Sequence, residues 1–453
     1  VIRALRVSGG RPLRGAVTVS GSKNAALPIL AASLLTRQPC RLTNVPELAD
    51  VDTTLAILET LGAGVARVPA DATTGEAARL EVRAEGTIAS EVPSDLAVRM
   101  RASILFMGPL LARTGRAVVP RPGGDAIGMR RFDQHVSGLT ALGAVIEERE
   151  GDLVCHADGL TGADVQLDMP TVTGTENLMM AACLARGRTT ILNAAREPHI
   201  QDLAGALRAM GAAIEGDGTD EIVIEGVERL HGCQHRIRPD YLEAGTFAIA
   251  VAATGGEVAL EDAPMADLGA LVIKLRRAGV EVGVEDGRMV VRRERELRPV
   301  DLITWTHPGF ATDLQPQYTA LMTQARGDSV VQEFLFENRF EYVDELRALG
   351  ADIWPLSQHR RGDAGAAGVL VMESRQSPGF GRGVRIHGPA RLRGARLSIP
   401  DIRAGAAIVI AALCAEGESE IAGLDRLDRG YERLAGKLAG LGADLSEITP
   451  GSQ

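Results

Sequence analysis

Glu345-Leu-Arg-Ala-Leu-Gly-Ala-Asp-Ile353 decides the architecture, because the same phrase recurs five more times along the chain. The other copies are Glu59-Thr-Leu-Gly-Ala-Gly-Val65, Leu139-Thr-Ala-Leu-Gly-Ala-Val-Ile146, Ala206-Leu-Arg-Ala-Met-Gly-Ala-Ala-Ile214, Lys274-Leu-Arg-Arg-Ala-Gly-Val-Glu-Val282 and Lys437-Leu-Ala-Gly-Leu-Gly-Ala-Asp-Leu445. Each is an amphipathic helical pattern that stops at a glycine and continues at once as a strand, the arrangement of a left-handed C-terminal cap. The capping glycines fall at 62, 143, 211, 279, 350 and 442. Six copies of one unit are present.

A second marker runs in phase with the first. Apolar helical runs at 25–36, 105–115, 178–187, 247–256, 317–327 and 406–417 each precede a short strand, and all but the first end in glycine. Each unit therefore holds a mostly apolar helix, a strand, an amphipathic helix and further short strands. An apolar helix beside an amphipathic one places the first inside and the second outside. Six units fit neither an eightfold barrel nor an open nucleotide-binding sheet. They predict an α/β chain of two domains with three units each, divided between Gly211 and Gly279, with 226–235 as the crossing. The opening strand at 2–9 precedes the first full unit and is free to complete the second domain. A site is expected between the domains, where closure excludes water.

At 453 residues the chain is long enough for two cores. A net charge of -10, with no basic stripe interleaved with aromatics, argues against nucleic acid as a partner. Local arginine clusters in an acidic protein point instead to an anionic small molecule. The apolar runs are shorter than a membrane span needs, and residues 1–15 lack a secretory apolar core, so a cytoplasmic location is expected. Five cysteines at 40, 155, 183, 233 and 414 are scattered and odd in number, which indicates neither a disulfide scaffold nor structural zinc. With no HxH or HExxH pair, metal catalysis is disfavoured.

Chemistry concentrates at element starts. The stretch from Arg121 to Arg130, Arg-Pro-Gly-Gly-Asp-Ala-Ile-Gly-Met-Arg, is too glycine-rich for a helix and too charged for a core strand. It reads as a solvent loop or as an arginine-lined lid over an anion. Only three lysines occur, at 23, 274 and 437, and Lys23 with Asn24 opens an apolar helix where free amides and a point charge can bind an anion. A solvated lysine is the alternative. Arg101 stands at an inward turn, whereas Arg99 reads as surface. Asp313, before the fifth apolar helix, is either a helix cap or a general base. Arg339 interrupts the aromatic-rich 334–340 segment and needs an ion partner or a ligand. Asp401 and Arg403 begin the sixth apolar helix, Arg429 begins an amphipathic one, and His135 is the histidine best placed for a polar contact. The glycine-rich segment 361–385 reads as a surface excursion.

These residues fall in motifs that resemble the UDP-N-acetylglucosamine 1-carboxyvinyltransferases of the enolpyruvyl transferase superfamily. The motifs are GSKNAALP from Gly21, MRASILFMGPL from Met100, RPGGDAIGMR from Arg121, TENLMMAA from Thr175, NAAREP from Asn193, RPDYLEAGTF from Arg238, FATDLQPQ from Phe310, FENRF from Phe336 and DRGYER from Asp428. The resemblance implies a two-domain inside-out α/β barrel, each domain three repeated β-α-β-α-β-β units. One domain would be 1–21 with 235–453; the other would be 22–234, carrying the 121–131 loop. It implies transfer of the enolpyruvyl group of phosphoenolpyruvate to the 3'-hydroxyl of UDP-N-acetylglucosamine, the first committed step of peptidoglycan synthesis in cell-wall biogenesis. No metal or cofactor is implied, and a monomer is expected.

Residue by residue, the resemblance implies that Lys23, Arg130 and Arg429 hold phosphoenolpyruvate. Asn24 and Asp313 serve the sugar end, with Asp313 the base for the hydroxyl. Arg101, Arg339, Asp401 and Arg403 line the site, Asp133 meets uracil, and Thr171, Val172 and Thr173 meet the nucleotide. Three departures stand out. Asp125 occupies the position where most of the family has cysteine. A carboxylic acid there can still protonate a carbon if its pKa is raised, but it is a poor target for epoxide alkylation, so insensitivity to fosfomycin is expected. Arg131-Phe132 replaces the common Pro-Val, and Phe310-Ala-Thr-Asp replaces Phe-Pro-Thr-Asp. The alternatives are enolpyruvyl transfer to another nucleotide in secondary metabolism, the related 5-enolpyruvylshikimate-3-phosphate synthase activity, and a noncatalytic binding protein.

Overall fold

The computed structural model describes residues 3–70, 77–125, 127–356 and 383–448. All but the last three residues of the expected 361–385 excursion lie outside them; those three enter the Gly383–Gly388 strand. The chain divides into two compact units. Unit 1 comprises Val1–Val19, Ala126–Arg130 and Asp240–Gln453, and unit 2 comprises Ser20–Asp125 and Arg131–Pro239. Each has its own cluster of buried apolar side chains.

The glycine periodicity governs the backbone. Gly62, Gly143, Gly211, Gly279, Gly350 and Gly442 all have φ between 91° and 102°, a region closed to most side chains. Each ends an amphipathic helix: Ala49–Thr60, Asp133–Ala141, Pro198–Ala209, Gly269–Ala278, Val343–Ala348 and Leu434–Gly440. A strand follows each within a few residues.

Among the described residues those strands build six separate sheets, one per repeat. The sheet around Arg188–Leu192 shows the plan. That strand follows an apolar helix, runs parallel to Asp164–Gln166, and pairs antiparallel with Glu221–Glu225, which pairs in turn with Ala213–Glu215. The order is strand, apolar helix, strand, amphipathic helix, strand, strand. In unit 2 the circle closes when Gln234–Arg236 adds in parallel to Cys40–Thr43 of the first sheet. In unit 1 the first nineteen residues supply two strands. Leu13–Thr18 lies parallel to Gly256–Glu261, and Ala4–Ser8 inserts between Glu418–Ala422 and Asp444–Ile448. The opening strand thus completes the last repeat, as its position ahead of the first unit allows.

The apolar helices form the interior. In unit 1, Tyr241–Thr254, Gln315–Met322 and Ile402–Cys414 pack against one another, and nearly every residue in them is buried. Their counterparts in unit 2 are Lys23–Ala32, Val172–Ala182 and the stretch that begins as a 3₁₀ turn at Arg101–Phe106 and continues as Met107–Thr114. Helices that lack a polar face must be covered on all sides, so the sheets and amphipathic helices lie around them. The close crossing of Met107–Thr114 with Val172–Ala182 depends on Gly108, whose amide donates to Asn177 Oδ1 at 2.8 Å. A methyl at 108 would meet the Asn177 carbonyl. Among the described residues, no helix is long and apolar enough to cross a membrane.

Candidate active site

Unit 1 holds a buried charge cluster built from two element starts and the turn that carries Arg339. Asp313 sits in the short turn Thr312–Leu314 ahead of the fifth apolar helix. It does not cap that helix: the capping position is Leu314, which provides no side-chain bond, and the Asp313 carboxylate turns to two arginines instead. Arg339 Nη2 donates to Oδ1 at 2.8 Å and Arg403 Nε donates to Oδ2 at 3.0 Å. Asp401 is the true cap of Ile402–Cys414, accepting from the amides of Arg403 at 2.9 Å and Ala404 at 3.0 Å. Such a cap contributes about 1 kcal/mol and fixes where Arg403 leaves the helix. Arg339 also lies 3.8 Å from Asp401.

The arginines are closed in and the carboxylate is not. Arg339 is 1% exposed, whereas the Asp313 side chain keeps 28% of its surface. Burial alone would lower the Arg339 guanidinium pKa, but the fields of Asp313, Asp401 and Glu333 carry it above its ordinary value. Arg403 behaves alike: burial opposes its charge, and Tyr431 and Asp313 hold it up. Glu333, fully buried, ties the cluster together. It accepts from Thr312 Oγ1 at 2.7 Å and from the amides of Leu335 at 2.7 Å and Phe336 at 3.2 Å, so the turn bearing Asp313 is fastened to the segment bearing Arg339.

The loop residues 127–130 belong to the same unit. Asn338 N donates to Ile127 O at 3.0 Å, and Met129 N donates to Glu337 Oε2 at 3.3 Å. Arg130 has a left-handed backbone, φ 39°, and its guanidinium stands 5.8 Å from the centre of the Phe336 ring. Arg429 does not begin a helix. It lies half-buried in the turn between Leu424–Leu427 and Leu434–Gly440, beside Gly430, whose carbonyl accepts from Arg403 at 3.5 Å.

Unit 2 contributes a second charged set. Ser22 caps the first apolar helix through Ala25 N, and Lys23 is its first residue. Lys23 is no solvated lysine: it is 8% exposed and pairs with Asp50 at 2.6 Å. Asn24 beside it is half-buried. Arg101 opens its 3₁₀ turn and lays its guanidinium over the Phe132 ring, 3.6 Å from the centroid. Arg99 is exposed, 3.7 Å from Asp95. His135 is buried and its Nε2 lies 2.9 Å from Thr173 Oγ1. Burial, then the charge of Arg101, pushes the His135 imidazole down to about 3, so it is neutral near pH 7. Thr171 precedes Val172–Ala182 in extended conformation and leaves its hydroxyl out of the cap, with Val172 and Thr173 in the first turn. Asp133 is exposed at the start of Asp133–Ala141, and Asp125 is half-buried in the loop.

The structure therefore gathers Asp313, Arg339, Asp401 and Arg403 into one cluster, and joins Arg101 to Thr173 through Phe132 and His135. Reading the sequence missed Asp50, Glu333, Phe132 and Glu176. Asp50 shares a helical stripe with Thr54, Ile57 and Leu58, which placed it on the buried face. Glu333 interrupts an apolar run. Glu176, wholly buried, has its carboxyl pushed well above the usual range by burial and by Glu197. Among the described residues no group of three or more His, Cys, Asp or Glu side chains is arranged to hold a metal ion.

Two three-repeat units, one of them holding an arginine–carboxylate cluster, are the build of an enolpyruvyl transferase, and residues 7–438 match the family of EPSP synthase (3-phosphoshikimate 1-carboxyvinyltransferase), to which the chain belongs. Within that superfamily, two relatives at 45–47% identity carry one name. A UDP-N-acetylglucosamine 1-carboxyvinyltransferase of Sorangium cellulosum is 47% identical, with 98% of each chain covered. Another from Granulibacter bethesdensis is 45% identical, covering 98% of this chain and 99% of that one. Among solved structures, the enolpyruvyl transferase NikO from Streptomyces tendae aligns over 99% of both chains with a TM-score of 0.83 and 25% identity. EPSP synthase from Acinetobacter baumannii aligns over 99% of this chain and 100% of its own, at 0.72 and 17%, a likeness of fold alone.

Proposed function

We propose that this chain transfers the enolpyruvyl group of phosphoenolpyruvate to the 3'-hydroxyl of UDP-N-acetylglucosamine with release of phosphate. The observation that carries the mechanism is the Asp313 carboxylate, part-exposed and gripped from behind by Arg339 and Arg403. A carboxylate so held presents its accessible lone pairs in one direction, where it takes the proton of an attacking hydroxyl. The hydroxyl oxygen bonds to C2 of phosphoenolpyruvate while an acid protonates C3, giving a tetrahedral phosphorylated adduct. Elimination returns a proton from C3 and expels phosphate, leaving the enol ether.

Lys23, Arg130 and Arg429 are the assigned phosphoenolpyruvate ligands, since phosphate and carboxylate oxygens suit an ammonium and guanidinium forks. Asp125 is the assigned acid at C3. Asn24 serves the sugar, Arg101 lines the substrate site, and Asp133 and Thr171–Val172–Thr173 serve the nucleotide. Arg339, Asp401 and Arg403 act on substrate through Asp313. The proposed domains are 1–21 with 235–453, and 22–234, with the exception that residues 126–130 of the loop pack in unit 1. Cytoplasmic residence, a monomeric state and resistance to fosfomycin belong to the same proposal.

Arg131-Phe132 favours a second reading, in which another nucleotide is the acceptor. Phosphate release from phosphoenolpyruvate with UDP-N-acetylglucosamine, UMP or shikimate 3-phosphate separates the possibilities. Release with the nucleotide sugar alone is expected. Release only with UMP moves the acceptor, release only with shikimate 3-phosphate moves the pathway, and no release with any acceptor leaves a binding protein.

A further inference from the structure

Phe132 stands between two polar side chains, Arg101 and His135. On one side the Arg101 guanidinium carbon lies 3.6 Å from the ring centroid, far closer than the 5.1 to 5.9 Å of the other arginine–aromatic pairs described. On the other side the ring meets His135 edge-on, with centroids 5.9 Å apart and planes at 76°. His135 in turn reaches Thr173, whose carbonyl accepts from Asn177 Nδ2 at 3.2 Å. The backbone that carries the ring is tied to a helix: Phe132 is the residue just before Asp133–Ala141, and its carbonyl accepts from Val136 N at 3.0 Å.

At 3.6 Å the guanidinium stacks on the ring, which fixes its plane and the direction of its N–H edge. A long arginine side chain otherwise samples many rotamers, and an orientation fixed in advance spares that entropy on binding. Resting on the reading of Arg101 as a substrate residue, we propose that Phe132 is a positioning residue that aims Arg101 at an anionic oxygen of the nucleotide sugar. The Arg101–Phe132–His135–Thr173 stack then couples the diphosphate end of that substrate to the Thr171–Thr173 segment.

The test is steady-state kinetics on the full chain with both substrates varied. Phe132→Leu keeps an apolar side chain but loses the ring face. It is expected to raise KM for UDP-N-acetylglucosamine about three- to thirty-fold, the range a cation–π contact controls, with kcat and KM for phosphoenolpyruvate within about twofold of the parent. Phe132→Tyr keeps the ring face and restores the parent KM, whereas Phe132→Met, which fills a similar volume without a ring, raises KM as leucine does and repeats the test should the leucine variant not fold. In an Arg101→Ala background the Phe132→Leu change adds nothing further. If Arg101→Ala itself leaves KM unchanged, the reading of Arg101 fails. If Arg101→Ala raises KM but Phe132→Leu does not, or if the two effects multiply, the positioning role is overturned while the reading of Arg101 stands.

Discussion

Asp313→Ala is the perturbation whose cost can be worked most fully. It removes the partner that lies 2.8 Å from Arg339 and 3.0 Å from Arg403, and leaves two nearly inaccessible guanidiniums with Asp401, 3.8 Å from Arg339, and Glu333. Unit charges 4 Å apart attract by about 4 kcal/mol at an effective dielectric near 20. Stripping one member from a buried pair costs about 3–5 kcal/mol, because the remaining charge stays dehydrated. Water reaches Asp313 through its exposed 28%, which places the expected loss at the lower end, about 2–4 kcal/mol. Asp313→Asn keeps the oxygen and the shape and should lose about half as much, yet both variants lose the proton acceptor and should fall at least about 100-fold in turnover. Urea unfolding, read as a midpoint shift at constant slope, measures the first quantity and phosphate release the second. Adding Arg339→Met to Asp313→Ala removes one orphaned charge and should recover part of the stability. A loss below about 1 kcal/mol, or a double variant no more stable than Asp313→Ala, would refute the idea that this carboxylate neutralises the buried arginines.

Three further outcomes are expected. Fosfomycin with UDP-N-acetylglucosamine should cause no time-dependent inactivation of the parent, whereas Asp125→Cys should be inactivated with a covalent mass increment; an adduct on the parent sinks the assignment. The His135 imidazole is lowered to about 3 from 6.5, so the folded protein binds fewer protons than the unfolded chain between those values, and stability is present above pH 6.5 and lost as pH falls toward 3. This loss is at most about 1.4 kcal/mol per pH unit, and His135→Gln should flatten the acid limb of the stability profile by one proton; identical slopes count against it. Glu337→Ala frees Met129 N, and should speed tryptic cleavage at Arg130 or Arg131 and raise KM for phosphoenolpyruvate by about three- to ten-fold. Gly128→Ala should do the same, because a methyl there would collide with the Glu337 carboxylate; unchanged cleavage rates would exclude the latch.

The repeat was legible because its signal is local. A glycine that ends an amphipathic helix fixes φ at its own position, and all six did so without help from distant residues. Apolar helices were legible for a similar reason, since Ile402–Cys414 offers no polar face and has to lie inside. Partners were not legible. Lys23 looked either solvated or anion-binding because Asp50 belongs to the next helix, and its inward position shows only in the phase of a stripe. Asp313 looked like a cap from its place before a helix, but two arginines, 26 and 90 residues away, outcompete the backbone amides for it. Charge-assisted bonds to guanidinium are about twice as strong as neutral ones, and that choice is made by tertiary packing. Phe132 read as a mere departure from a common pattern until the structure placed Arg101 on its face.

The proposed reaction forms a carbon–oxygen bond between the enolpyruvyl group and the sugar 3'-oxygen. The direct measurement is nuclear magnetic resonance of the product made from carbon-13-labelled phosphoenolpyruvate and UDP-N-acetylglucosamine. A vinyl methylene whose C2 shows a three-bond coupling to the sugar H3, formed with one phosphate per product, is the expected spectrum. Intact phosphoenolpyruvate after prolonged incubation, or an enol ether at any other hydroxyl, would contradict the account.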